Sequence, residues 1–293
     1  MPASDPIRAA TRGSALARWQ TDHVAALVAA ASSRHVEPVI VSTVGDRDKS
    51  TPIHEIGGKG VFVKEVQAAL LDGRADIAVH SAKDLPAITP TELVIAAVPP
   101  RADVRDALVG ARFDDLAPGS RVGTGSVRRR VQLLAVRPDL VVEELRGNID
   151  TRLSRLDDLD AIVMAAAALD RLGREPAVVE RLDPRLMIPQ VGQGTLAIEC
   201  RADDHSTRQV LAAIDDPSSR RLLDAERAFL AELGGDCDLP AGCSGRLADG
   251  KVELRAFLSD GDPASIVSMV AIDADGISLG TRLARDLRSA LES

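Results

Sequence analysis

Ala75-Asp-Ile-Ala-Val-His-Ser-Ala-Lys-Asp-Leu-Pro86 is the stretch on which the reading of this chain turns. It opens as a buried strand: Ile77, Ala78 and Val79 form a short apolar run, and Gly73 just before it is a turn signal. It closes on polar groups of both signs: His80, Ser81, Lys83 and Asp84. Pro86 fixes its own φ and biases Leu85 toward extended geometry, so the strand end is stiff. Open α/β sheets collect their ligands at such strand ends. A cation and a carboxylate side by side there suit proton handling or the stabilisation of a developing charge. A solvated turn after a strand would look the same in isolation, so the flanking sequence has to decide.

Outward from this strand the same unit recurs. Ile7 to Thr11 reads as a strand that turns through Arg12-Gly13-Ser14 into a helix, with Ser14 as N-cap. Leu16, Trp19, His23, Ala26, Leu27 and Ala30 recur at helical spacing, which puts Trp19 and His23 on the buried face. Val122-Gly-Thr-Gly-Ser126 opens a second helix with Arg128, Arg129 and Arg130 in its first turn. Cations there oppose the helix dipole, a cost that makes sense around a bound anion. Read as exposed, these arginines contribute little stability, so neutral replacements should leave the fold intact. Val141 to Leu145 leads into Arg146-Gly-Asn-Ile-Asp-Thr-Arg152, again strand, turn, arginine, helix. Each turn offers free backbone N–H groups where an anion can sit.

The fold expected is α/β, with two lobes and a small α+β C-terminal domain. Residues 1–98 and 192–216 form the first lobe: Leu93 to Val98 stops at Pro99-Pro100, and Thr195 to Cys200 returns as a strand of the first sheet. Residues 99–191 form the second lobe. Residues 217–293 hold a long helix, alternating strands and a short terminal helix near Thr281 to Leu291. Between the second strand and the next helix lies a long polar segment with Gly57-Gly-Lys59-Gly60. It lacks the spacing of a nucleotide loop and reads as a lid, with Lys59 and Phe62 at its end.

The totals narrow the function. A net charge of −8 argues against a general nucleic-acid binder. Of 36 basic residues only five are Lys, and arginine holds carboxylates bidentately where lysine cannot. Three cysteines, Cys200, Cys237 and Cys243, are no disulfide framework and have no zinc-ligand spacing, so no metal is expected. No leader-like segment is seen and no apolar run is long enough to cross a bilayer, which suggests a cytoplasmic protein with no membrane partner. Cys237 lies in a Gly- and Pro-rich loop after the long helix, where a thiol would be accessible, although Asp236 and Asp238 should raise its pKa. Arginines at several turns suit a ligand rich in carboxylates. Two classes fit: an enzyme that builds or modifies a polycarboxylate, and a two-lobed solute-binding protein. Only the first has a use for an accessible cysteine, which could hold something covalently.

With these residues assembled, the chain resembles the porphobilinogen deaminase (hydroxymethylbilane synthase) family. The resemblance runs from Ile7 to about Gly242 through Ala-Thr-Arg-Gly-Ser (10–14), Gly-Asp (45–46), Gly-Gly-Lys-Gly-Val-Phe-Val-Lys-Glu (57–65) and the 76–86 stretch. It continues through Val-Gly-Thr-Gly-Ser-Val-Arg-Arg (122–129), Leu-Arg-Gly-Asn-Ile-Asp-Thr-Arg-Leu (145–153), Gly-Gln-Gly-Thr-Leu-Ala-Ile-Glu (192–199) and the Cys237 loop. Two departures stand out: Asp236 replaces a usual Gly before the cysteine, and Gly125 stands where Ser is common. The resemblance implies periplasmic-binding-protein-like lobes and a transferase of tetrapyrrole and heme biosynthesis. It implies the head-to-tail joining of four porphobilinogens with loss of ammonia, then hydrolysis to hydroxymethylbilane. It implies a dipyrromethane cofactor attached to Cys237, with Asp84 catalytic. Lys83, Asp84, Ser126, Arg128, Arg129 and Arg146 would hold the cofactor, and Arg12, Ser14, Arg146 and Arg152 the substrate carboxylates. Porphobilinogen would be the only partner, and the protein a monomer.

Overall fold

The computed structural model describes residues 5–43, 63–234 and 240–293. In chain order the elements are β1 (Ile7–Thr11), α1 (Ala15–Ser32), β2 (Val36–Ile40), α2 (Lys64–Leu71), β3 (Ile77–Ser81), β4 (Leu93–Ala97), β5 (Asp106–Val109) and β6 (Arg121–Gly123). There follow α3 (Val127–Val136), β7 (Val141–Glu143), α4 (Ile149–Leu153), β8 (Ala161–Ala165), α5 (Ala166–Arg171), β9 (Val179–Arg181), β10 (Leu196–Arg201) and α6 (His205–Leu211). The chain ends with α7 (Pro217–Glu232), β11 (Ala241–Ala248), β12 (Lys251–Leu258), β13 (Val267–Asp273) and α8 (Gly276–Leu291). Two compact units form: residues 1–101 with 195–220, and residues 102–194 with 221–293.

The first unit is built on a sheet ordered β2-β1-β3-β10-β4. β1, β2 and β3 run parallel, while β10 is antiparallel to both β3 and β4. Side-chain alternation sorts its two faces. Ile77 and Val79 pack with Val24 and Val28 of α1 and Leu211 of α6, whereas Ala78 packs with Val66, Ala69 and Leu70 of α2. β10 is buried on both faces, as a central strand should be. Trp19 and His23 are not core residues. The buried side of α1 carries Gln20, Thr21, Val24 and Val28, a stripe rotated from the one the large side chains suggested. Trp19 and His23 instead stack on each other outside, ring centroids 5.1 Å apart.

The second unit holds a sheet ordered β7-β6-β8-β5-β9, with β6, β7 and β8 parallel and β5 antiparallel to β8 and β9. Val122, Leu133, Val142 and Val163 pack on one face, and Leu145, Ile162, Met164 and Leu169 on the other. The small sheet β11-β12-β13 is antiparallel throughout. Phe257 of β12 packs with Val131 of α3 and Ile188, tying the small domain to this lobe. Gly280 lets α8 approach α7: a Cβ there would collide with the Ala225 carbonyl oxygen. α8 starts earlier than the expected Thr281, because Asp275 caps it by accepting the Ile277 and Ser278 N–H groups, each at 3.1 Å. The expected class, two α/β lobes and a small α+β domain, is what these sheets form.

Candidate active site

In the first unit the C-terminal ends of the parallel strands β1 and β3 lie on one edge of the sheet. Arg12, half-buried, follows β1. Ser14 caps α1, its Oγ accepting the Ala17 N–H at 3.3 Å. Gln20 of α1 reaches across and donates to Ser81 Oγ at 2.8 Å, so helix and strand end are pinned together. β3 then passes into a single 3₁₀ turn, Ala82–Asp84. The Ala82 N–H donates to Thr195 O at 3.0 Å, and the Leu85 N–H closes the turn on Ala82 O at 3.2 Å. Ala82 and Leu85 are each only 2% exposed. The turn is therefore anchored on both sides, while Lys83 is half-buried and Asp84 exposed. Among the described residues no hydrogen bond or ion pair is seen at the exposed Asp84 carboxylate.

Behind this edge lies a buried polar cluster that the sequence reading did not single out. Glu199 of β10 is fully buried and accepts Gln67 Nε2 on both oxygens, at 3.2 and 2.9 Å. His80 Nε2 is 3.1 Å from Glu199 Oε2.

In the second unit the turn after β6 ends at Ser126 and leads into Arg128 and Arg129 of α3, and the turn after β7 carries Arg146 and leads into α4, which holds Arg152. β6 and β7 are parallel, so both turns share one edge. Gly125 is where they meet: an added Cβ would lie 2.5 Å from the Leu145 carbonyl oxygen, so a serine at this position would require the backbone to move apart. Ser126 Oγ caps α3 by accepting the Arg129 N–H at 3.4 Å. Arg152 folds back on its own turn, Nε donating to Gly147 O at 2.8 Å.

Arg128 and Arg129 are not solvated. They are 2% and 6% exposed, and both guanidinium groups turn inward to Asp106, the fully buried first residue of β5. Arg128 Nη2 donates to Asp106 Oδ2 at 2.7 Å. Arg129 gives Nε and Nη2 to Oδ1 at 3.0 and 2.7 Å. Gln193 Nε2 adds the carboxylate's fourth bond, the third to Oδ1, at 2.9 Å. Burial alone would raise the Asp106 pKa; the charges of Arg128 and Arg129 and the Gln193 hydrogen bond outweigh it and hold the carboxyl down to about 2. Burial pulls Arg128 below its ordinary value against the pull of Asp106. The guanidinium remains charged, since arginine keeps its proton at any working pH. This corrects the expectation that neutral replacements are harmless to the fold: they would strand Asp106 in the interior. The signal that could have revealed Asp106 is weak, a lone carboxylate at the head of the apolar run Ala107 to Val109.

Gln193 is itself held in place. Glu226 of α7, fully buried, accepts the Gly192 N–H at 2.8 Å and the Gly245 N–H at 2.7 Å, tying this segment to β11. Of the expected cysteines, Cys200 and Cys243 are both fully buried. Burial, aided by Asp204, pushes Cys200 up to about 11, so its nucleophilic thiolate is scarce. Cys237, Lys59 and Phe62 lie outside the described residues. Among the described residues no helix is long and apolar enough to cross a membrane.

Residues 7–209 match the family model described as porphobilinogen deaminase, dipyromethane cofactor binding domain, and residues 221–289 match porphobilinogen deaminase, C-terminal domain. A porphobilinogen deaminase of Acidothermus cellulolyticus is 46% identical over 292 residues, covering 96% of this chain and 88% of its own. One from a Roseiflexus species is 45% identical and covers 94% of each chain. A probable porphobilinogen deaminase of Methanopyrus kandleri is 43% identical, covering 98% of this chain and 99% of its own. Among solved structures, the methionine-binding protein MetQ covers 83% of this chain and 98% of its own at 14% identity, with a TM-score of 0.43.

Proposed function

The chain belongs to the porphobilinogen deaminase family, a transferase of tetrapyrrole biosynthesis with a dipyrromethane cofactor, and from that premise we propose that Asp84 is its catalytic group. The observation that carries this is the exposed Asp84 carboxylate on a turn anchored from both sides, next to Lys83. When the C–N bond of porphobilinogen's aminomethyl arm breaks and the nitrogen leaves as ammonia, the methylene stays on the ring and positive charge spreads over it and the pyrrole. A carboxylate already fixed at the ring N–H stabilises that charge without reorganising, and it can accept and return a proton. Its anchoring matters because preorganisation is what gives such a group its effect.

The remaining residues have binding roles in this reading. Arg12 and Ser14 hold the acetate and propionate groups of the substrate. The Ser14 oxygen is engaged as an acceptor at the α1 cap, which leaves its O–H to donate to an anion. Ser126 is in the same position at the start of α3. Lys83, Asp84, Ser126, Arg128, Arg129 and Arg146 hold the primer, and Arg146 and Arg152 the carboxylates of further rings. The donor set fits such a group: cations and hydroxyls predominate, and the cluster of two arginines and Asp106 has a net charge of +1. When bound, the dipyrromethane supplies the pyrrole carbon from which the chain is extended. Its attachment to Cys237 is supported by the burial of both other cysteines. We infer a cytoplasmic monomer acting on porphobilinogen, with neither nucleic acid nor membrane as partner; light scattering that returned a dimer mass would overturn the first point.

The test is Asp84→Asn, in protein whose cofactor content has been checked by mass. Single-turnover release of ammonia should slow by roughly 10²–10³-fold, with substrate binding much less affected. A rate within a fewfold of the parent would mean that another group does the chemistry.

A further inference from the structure

We propose that Asp106 is a positioning residue for the primer: it fixes the direction of the Arg128 and Arg129 guanidinium groups and cancels one of their two charges, leaving a site matched to a single carboxylate. The proposal rests on the reading that these arginines hold the primer's carboxylates.

The geometry carries the argument. Each guanidinium is held at both ends of its plane. Arg128 gives Nη2 to Asp106 at 2.7 Å and Nη1 to Ile188 O at 2.6 Å. Arg129 gives Nε and Nη2 to Asp106 and Nη1 to Val163 O at 3.1 Å. Neither plane can swing without breaking bonds to buried acceptors. A purely structural role does not ask for this arrangement. One arginine would neutralise Asp106, and a well-packed apolar pair would often serve stability better. The second arginine leaves an uncompensated positive charge, and Arg128 Nε is buried without a hydrogen-bond partner. Both oddities lie in the first turn of α3, directly after the Gly125-Ser126 turn. A residual single charge, held still, suits one carboxylate group of a ligand.

Charge and geometry make opposite predictions, so they can be separated. Asp106→Asn keeps the shape and one acceptor oxygen but raises the cluster from +1 to +2. If attraction alone held the primer, the folded variant would carry as much covalent dipyrromethane as the parent, or more. If position matters, the folded fraction should carry about tenfold less, read by intact mass on the full chain. A role confined to stability would lower the melting temperature and leave the adduct in the folded fraction at the parent level. Either a parent-level or a raised adduct overturns the proposal.

The double variant Asp106→Asn/Arg129→Gln covers the case in which the single variant does not fold, because it returns the cluster to +1. If Asp106 acts through Arg129, the double variant should lose no more adduct than Arg129→Gln alone; multiplied losses would overturn the proposal. Arg129→Gln also separates the two claims. A parent-level adduct in that variant defeats the reading of the arginines as primer ligands, and the proposal with it. Adduct lost there but kept in Asp106→Asn defeats the proposal alone.

Discussion

The two lobes have the same strand order, and each receives its antiparallel strand directly after the chain crosses over: β10 in the first, β5 in the second. Each crossing strand carries one fully buried carboxylate, Glu199 or Asp106. In the first lobe that carboxylate meets a neutral amide, Gln67, and an imidazole, His80. In the second it meets two guanidinium groups. The strand ends differ in a complementary way. The first lobe ends β3 in an exposed Asp84 beside Lys83; the second ends the matching β8 in the alanine-rich start of α5, and keeps its charge inside, beneath α3. In the reading proposed above, one scaffold serves two tasks: the exposed carboxylate on a rigid turn is offered for chemistry, and the buried carboxylate between two arginines for positioning and for the fold.

That contrast can be broken by replacing charges on each side. The largest effect on stability should come from Arg128→Leu/Arg129→Leu, which strands Asp106 uncompensated and should cost about 3–5 kcal/mol; Asp84→Asn, on the exposed side, should stay within about 0.5 kcal/mol of the parent. Urea unfolding with unchanged slope would measure both, and similar stability for the two variants would erase the distinction. Acid should come next. The Asp106 pKa is lowered to about 2 from an ordinary 3.8, so its contribution is fully present above the unfolded value and is lost as pH falls through about 2. Asp106→Asn should remove about 2 kcal/mol of that acid-sensitive stability, flattening the unfolding free energy between about pH 4 and pH 2. A profile identical to the parent's would show that Asp106 is not ionised in the fold. The smallest effect should be at the α1 cap: Ser14→Ala should cost about 1 kcal/mol, seen in thermal unfolding, and no loss would mean that the cap bond at 3.3 Å is not formed in solution.

Much of the frame was legible because it rests on local signals. β1, the Ser14 cap, β3 and the return of Thr195 to Cys200 to the first sheet all follow from apolar runs bounded by turn chemistry. β5 and β9 were not legible, being four- and three-residue strands with too few side chains to show a period. Trp19 and His23 misled because their helical spacing was taken for the buried stripe, while the true stripe on α1 is turned from it and includes Gln20 and Thr21. The arginines after β6 were legible as unusual but not as buried. The partner that buries them is 22 and 23 residues away at the head of β5, and nothing local to Arg128 or Arg129 points to it. The candidate site was therefore readable as a list of residues, but the charge balance beneath it was not.

In the proposed function, these strand ends serve a polycarboxylate primer held covalently at Cys237. Intact mass of the full chain as made in cells tests it most directly. The parent, Cys200→Ser and Cys243→Ser should each carry an adduct of dipyrromethane mass, because both of those thiols are buried, and Cys237→Ser should carry none. An adduct lost in the Cys243 variant and kept in the Cys237 variant, or no adduct on the parent at all, would contradict it.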